Sequence, residues 1–109
     1  MTIIAPSHTL TFAPGMILVS AWGFEQTNVD FYLVTRTTER TVWMQPIAQR
    51  TEHPTGFMTE TVVPAPDKPT GPPVRRRIID SAHGPRAHTS MGHLAEPWTG
   101  TPERQSHYA

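Results

Sequence analysis

Apolar and polar residues exchange along this chain in short runs, each cut off by glycine, proline or a polar pair. After the turn signal Pro14-Gly15, Met16 to Trp22 is an apolar run with β-branched members, the composition of a strand. Gly23 to Asn28 is polar and glycine-led, so it reads as a connection. Val29 to Arg36 resumes as a strand with Val29, Phe31 and Leu33 on one face. Thr37-Thr38-Glu39 turns the chain, and Arg40 to Ile47 extends again. Val42 and Met44 share one side of that strand, Trp43 and Ile47 the other. These three strands form a meander with short loops.

Beyond it, Ala48 to Phe57 is polar, carries Pro54 and Gly56, and reads as a loop; Met58 to Val63 is a fourth strand. Residues 64–73 hold five prolines (64, 66, 69, 72 and 73), which deny hydrogen bonds to a ladder, so an exposed loop is expected there. Val74 to Asp80 and Ala87 to Leu94 are the last strands, joined by a turn-rich stretch at 81–85. The tail from Glu96 to Ala109 has no periodicity, yet its Trp98 and Tyr108 suit a segment laid across the barrel. No dozen residues keep apolar positions at helical spacing without Pro or Gly, which argues against a long amphipathic helix. The expectation is one mostly β domain over residues 1–109. It takes the form of a small, partly open SH3-like barrel of five or six short strands with little or no helix.

Composition narrows the chemistry. At 109 residues the chain suits one domain and not two with separate cores, and no cysteine is present for disulfides, thiolate metal sites or a thiol nucleophile. The first residues, Met1 to Pro6, lack the basic and long apolar regions of a signal peptide, and no apolar run is long enough to span a membrane. A cytoplasmic location is expected, in the host cell if the chain is phage-encoded. Charge is zero overall but unevenly spread. Residues 1–67 carry three basic and six acidic side chains, whereas 68–94 carry Lys68, Arg75, Arg76, Arg77 and Arg86 against Asp80 alone. A neutral chain can thus still present a positive face.

The stretch Ala21-Trp22-Gly23-Phe24-Glu25-Gln26-Thr27-Asn28-Val29-Asp30-Phe31-Tyr32-Leu33-Val34 resembles a family of short phage, plasmid and bacterial proteins. The hallmark of that family is Ser-Trp-Gly-Tyr-Asp-Gln-Thr-Asn-x-Asp-Phe-Tyr-Gln-Val. Pro97-Trp98-Thr99-Gly100-Thr101-Pro102 with Ser106-His107-Tyr108 is similar to its closing Trp-Asp-Gly-Lys-Pro segment and the Thr-x-Tyr that follows. Ala21, Phe24, Glu25 and Leu33 depart from the first motif, and Thr99 and Thr101 from the second. The resemblance implies a phage or mobile-element setting.

Two sets of residues could carry a function. Arg75 and Arg77 share one face of their strand; with Arg86 and His88 they could contact phosphates, and Tyr32 and Trp43 could offer stacking surfaces. A solvated edge strand protected by charge explains the same arginines. Glu25, Gln26, Thr27, Asn28 and Asp30 could line a polar pocket for a base or a peptide, or merely bond the local backbone in Asx-type turns. His83, His88 and His93 fall five apart, a spacing that shares no face of a strand, so no metal site is expected. No nucleophile elbow, His-Glu-x-x-His or phosphate-binding glycine loop appears. The sequence therefore points to a non-enzymatic protein with no cofactor, binding DNA or RNA. The alternatives are a host-interaction or anti-defence adaptor that binds a host protein through the 64–73 loop or a barrel edge, and a minor virion component. Open strand edges also allow a homodimer, and no membrane partner is expected.

Overall fold

Strand pairing runs almost unbroken from the turn at Pro14-Gly15 to the tail in the computed structural model, which describes residues 11–23, 27–56, 59–81, 84–89 and 93–106. Eight strands follow one another with no helix among the described residues: β1 (Ile17–Trp22), β2 (Asn28–Thr37), β3 (Thr41–Gly56), β4 (Thr59–Pro69), β5 (Val74–Ser81), β6 (Gly84–His88), β7 (Leu94–Pro97) and β8 (Glu103–Ser106). All pairings are antiparallel, and β1, β2, β3, β5, β6 and β7 close a ring in chain order, β7 returning to β1. The expected small β barrel is thus a closed, up-and-down ring of six strands, with β4 and β8 outside it.

The bore is filled by Phe12, Leu18, Val34, Val42, Met44, Ala87 and Ala95, with Met16, Tyr32, Val74 and Ile78 packed against them. Phe12 plugs the lower end. The turn that follows it is held by Gly15, whose backbone adopts φ 92° and whose N–H donates to the Val34 carbonyl at 2.8 Å. Val42 and Met44 face this bore, while Ile47 belongs to a second cluster with Val19, Val29, Phe31 and Val62, flanked by Ile17, Leu33 and Trp98. The first two strands are therefore apolar on both sides: even positions fill the bore and odd positions meet an outer layer.

That outer layer comes from segments that the sequence pattern assigns to loops and tail. Residues 48–56 continue β3, and at about 3.3 Å per residue its sixteen residues span roughly 50 Å, matching the 51 Å long axis of the molecule. β4 folds back along this arm in a ladder broken by three register shifts, one of them at Pro54. The proline-rich stretch is likewise strand as far as Pro69, and only 70–73 form the connection. The reason is positional. β8 covers β4 only from Thr59 to Val62, so from Val63 onward β4 is an edge, where a missing proline N–H need not interrupt a ladder. The expectation of a loop over 64–73 is corrected accordingly to an edge strand as far as Pro69, while residues 66–70, 72 and 73 are exposed as expected.

The tail is built in as well. Trp98 donates its backbone N–H to the Ile17 carbonyl at 2.9 Å and sets its ring edge-on to Phe31, 5.9 Å between centroids. β8 then pairs with β4. Residues 1–10 and Tyr108 lie outside the described residues.

Candidate nucleic-acid interface

A basic face lies on the outer side of β2, β3 and β5, beyond the part of β2 and β3 that Val62 and Trp98 cover. On β3, Thr41 and Trp43 point away from the bore because Val42 and Met44 point into it. The β3–β5 register sets Arg75 directly opposite Trp43 and Arg77 opposite Thr41. Both arginines are exposed, and the intervening Arg76 turns the other way with Val74 and Ile78. On the β2 side a bulge between Val34 and Arg36 inserts one residue, which moves Arg36 to the outer face opposite Trp43. Its guanidinium carbon lies 4.5 Å from the indole centroid, a cation–π contact that holds both side chains against the sheet.

Arg36, Trp43 and Arg75 thus form a rung across three strands. Below it, Arg40, Thr41, Arg75, Arg76 and Arg77 line an open groove of about 490 Å³. An adjoining hollow of about 320 Å³ runs on past Arg40 and Arg77 to Thr11, Glu39 and Ile78. Among the described residues none of Arg36, Arg40, Arg75 or Arg77 is ion-paired with a carboxylate. Guanidinium stays charged at any working pH and presents a fork of donors that suits phosphate oxygens.

The remaining sequence candidates fall elsewhere. His88 is exposed on β6, and the β5–β6 register, carried one step past Ile78–Ala87, sets it beside Arg77 at the border of the basic face. Arg86 pairs with Ile79, two steps from His88 on the other side of the Ile78–Ala87 pair, and is bound to Glu96 at 2.8 Å, which offsets its charge. Tyr32 is on the bore side of β2, separated from Trp43 by the barrel wall. Burial raises its phenol above the ordinary value of 10.0, as does Asp30, while Arg76 and a hydrogen bond with Thr89 act in the opposite sense.

Of the polar-pocket candidates, Glu25 and Gln26 lie outside the described residues. Asn28 stands opposite Trp22 on the neighbouring strand, Thr27 is exposed, and Asp30 accepts a 2.6 Å hydrogen bond from the Trp22 indole N–H.

The structure therefore brings Arg75, Arg77 and Trp43 together, sets His88 at their edge, keeps Arg86 on the same outer side but paired with Glu96, and separates Tyr32 from them. Sequence reasoning missed Arg36 and Arg40. Plain alternation from Val34 puts Arg36 on the inner face, and only the bulge reverses that. Arg40 sits in a turn, where the chain pattern carries no facing information; its carbonyl accepts the Ile78 N–H at 2.8 Å, which places it against β5. Comparison of the chain with family models, with curated proteins and with solved structures finds no match in any of the three.

Proposed function

We propose that this barrel binds nucleic acid on the outer face of β2, β3 and β5, acting as a non-enzymatic accessory protein of phage or mobile-element origin. The observation that carries the reading is the set of guanidinium groups at 36, 40, 75 and 77. Arg36 and Arg75 flank one indole, Arg40 and Arg77 line the groove beside it, and none has a carboxylate partner among the described residues. A row of fixed positive charge with an aromatic among it fits a phosphate backbone with unstacked bases, because phosphate contacts supply affinity and an indole tolerates any base. The ring adds support through β3, which pairs with Arg36 on one side and with Arg75 and Arg77 on the other.

The test is fluorescence anisotropy with single- and double-stranded oligonucleotides across a salt series. Four phosphate contacts predict a slope of log affinity on log salt of about −3 for single strands and about −3.6 for duplex. Arg75→Glu with Arg77→Glu should remove at least half of that slope, whereas Arg50→Glu, on the arm, should change it little. Absence of binding at low salt, or a slope indifferent to the double reversal, would refute the proposal.

A further inference from the structure

The basic groove continues beyond the arginine face. Arg40 and Arg77 line both the groove of about 490 Å³ and the hollow of about 320 Å³ next to it, and that hollow reaches Thr11. Thr11 in turn lines a pocket of about 340 Å³. Gly84, the first residue of β6, and Pro97, the last of β7, border this pocket together with Met16, just before β1, so it sits at the lower end of the ring. Its apolar wall is Met16, Pro85 and Pro97, and the Arg86–Glu96 ion pair stands beside them. The three hollows thus follow one another from the outer face of β3 and β5 to the foot of the barrel.

Charge changes along this path. Arginines 40, 75, 76 and 77 line the groove with Thr41 and, among the described residues, no acid. In the hollow Glu39 stands with Arg40 and Arg77, and in the pocket Arg86 is matched by Glu96 at 2.8 Å. The groove therefore suits phosphates, whereas a phosphate brought to the pocket would meet the Glu96 carboxylate and a guanidinium already bonded. A neutral ring is better served there. A thioether and two proline rings give it apolar surface. The ion pair keeps further N–H groups and lone pairs for a polar edge. The volume lies at the small end of the roughly 300–1,000 Å³ of small-molecule sites. A duplex could fill it only by giving up a base from its stack.

We infer that the pocket at the foot of the barrel takes one unstacked base of a strand whose phosphates lie in the arginine groove, so that the ligand is single-stranded nucleic acid. The inference rests on the nucleic-acid reading and names its substrate class. Continuity through Thr11 gives the strand its path. The balanced charge of the pocket selects the base over the phosphate as its occupant. Arg86, which its ion pair sets apart from the arginine face, thereby gains a task of its own, with Glu96, at the edge of that base.

The experiment measures the anisotropy of a labelled single DNA strand of about 12 nucleotides, an abasic strand of equal length and charge, and the corresponding duplex, all at one salt concentration. The full-length chain is compared with Thr99→Trp and Thr11→Trp, exposed positions on the pocket where an indole fills the space without altering charge. The parent should bind the intact strand about tenfold more tightly than the abasic strand, and more tightly than the duplex. Each block should cut intact-strand affinity several-fold, leave abasic affinity unchanged, and cost the same factor in a Trp43→Ala background. Equal binding of intact and abasic strands, tighter binding of the duplex, or an intact-strand affinity that survives both blocks overturns the base pocket and leaves the arginine face standing. Failure of all three ligands to bind refutes the arginine face, and the pocket falls with it.

Discussion

Gln105 is the side chain on which the attachment of the tail turns. It is 4% exposed on β8, opposite Glu60 of β4. Its Oε1 accepts from the backbone N–H of Val29 at 3.1 Å and from Gln49 Nε2 at 3.3 Å, while its Nε2 donates to Glu60 at 2.9 Å. One amide thereby links β8 to β2, β3 and β4. Gln105→Ala removes two neutral contacts worth about 1 kcal/mol each and one charge-assisted contact of about 1.5–3 kcal/mol. It also strands the N–H of Val29, which is 3% exposed, at a further cost of about 1–3 kcal/mol. Recovered side-chain entropy of up to about 2 kcal/mol and entry of water reduce the total. The expected net loss is about 2–4 kcal/mol. With a urea slope of about 1–2 kcal/mol/M for a chain of this size, the midpoint should fall by about 2 M. Arg104→Ala, one residue away and exposed, should shift it by no more than a few tenths of a molar. Equal small shifts for the two variants would show that β8 hangs on the arm without bearing on it, and the tethering role of Gln105 would be refuted.

Other expectations follow from single residues. The Tyr32 phenol, raised chiefly by burial and further by Asp30, contributes stability that is fully present below 10.0 and lost as pH rises through its own higher value. Urea midpoints measured on either side of that range should fall in the parent and stay flat in Tyr32→Phe. Glu103 is likewise raised above 4.5, by burial first and by Glu96 second, against an opposing hydrogen bond from Trp98. Its stabilising contribution is therefore present below 4.5 and lost as pH rises through the folded value, so Glu103→Gln should be the more stable form at pH 7 and lose that advantage in acid. Gly15→Ala meets no atom within 4 Å of the new Cβ, so the φ of 92° alone sets its cost; a loss of about 1–2 kcal/mol by urea titration is expected, and no loss would mean that the turn relaxes.

The parts of the fold that could be read in the chain are those where alternation had one meaning. Val42 and Met44 against Trp43 and Ile47, and Arg75 and Arg77 against Arg76, needed only the period of a strand and a single apolar side. The arm was illegible because its pattern is polar: residues 48–51 pair with β4 through backbone groups, which any side chain permits. Prolines 64, 66 and 69 signalled a loop, since a proline's missing donor is harmless only on an edge, and edges are a property of the assembled sheet. The short run from Glu103 to Ser106 owes its strand to β4 and to Gln105, a polar residue that no apolar periodicity would select. At the site, Arg36 was hidden by a bulge. Tyr32 was misjudged because β2 is buried on both faces, so that leaving the Phe31 side did not mean reaching solvent.

That two-sidedness also explains why the arginines gather where they do. The outer face of the ring changes character along β2 and β3. Val29, Phe31 and Leu33 give way after the bulge to Arg36, and, read backward along β3, Ile47 gives way through Gln45 to Trp43 and Thr41. The apolar half is covered by Val62 and Trp98 from the arm and tail. Among the described residues the other half has no covering layer, and there β5 contributes Arg75 and Arg77 opposite Trp43 and Thr41. A half-covered barrel with an apolar remainder would expose a patch prone to association; guanidinium groups there replace that patch with charged donors. Solubility alone, however, is served equally by mixed charge. Lysine and glutamate in alternation would protect the face without concentrating one sign on it, whereas here Glu39 borders only the smaller hollow. The concentration of a single sign beside an indole held in place by Arg36 goes beyond what a protective surface requires, and it is the ground on which a phosphate-bearing ligand is proposed.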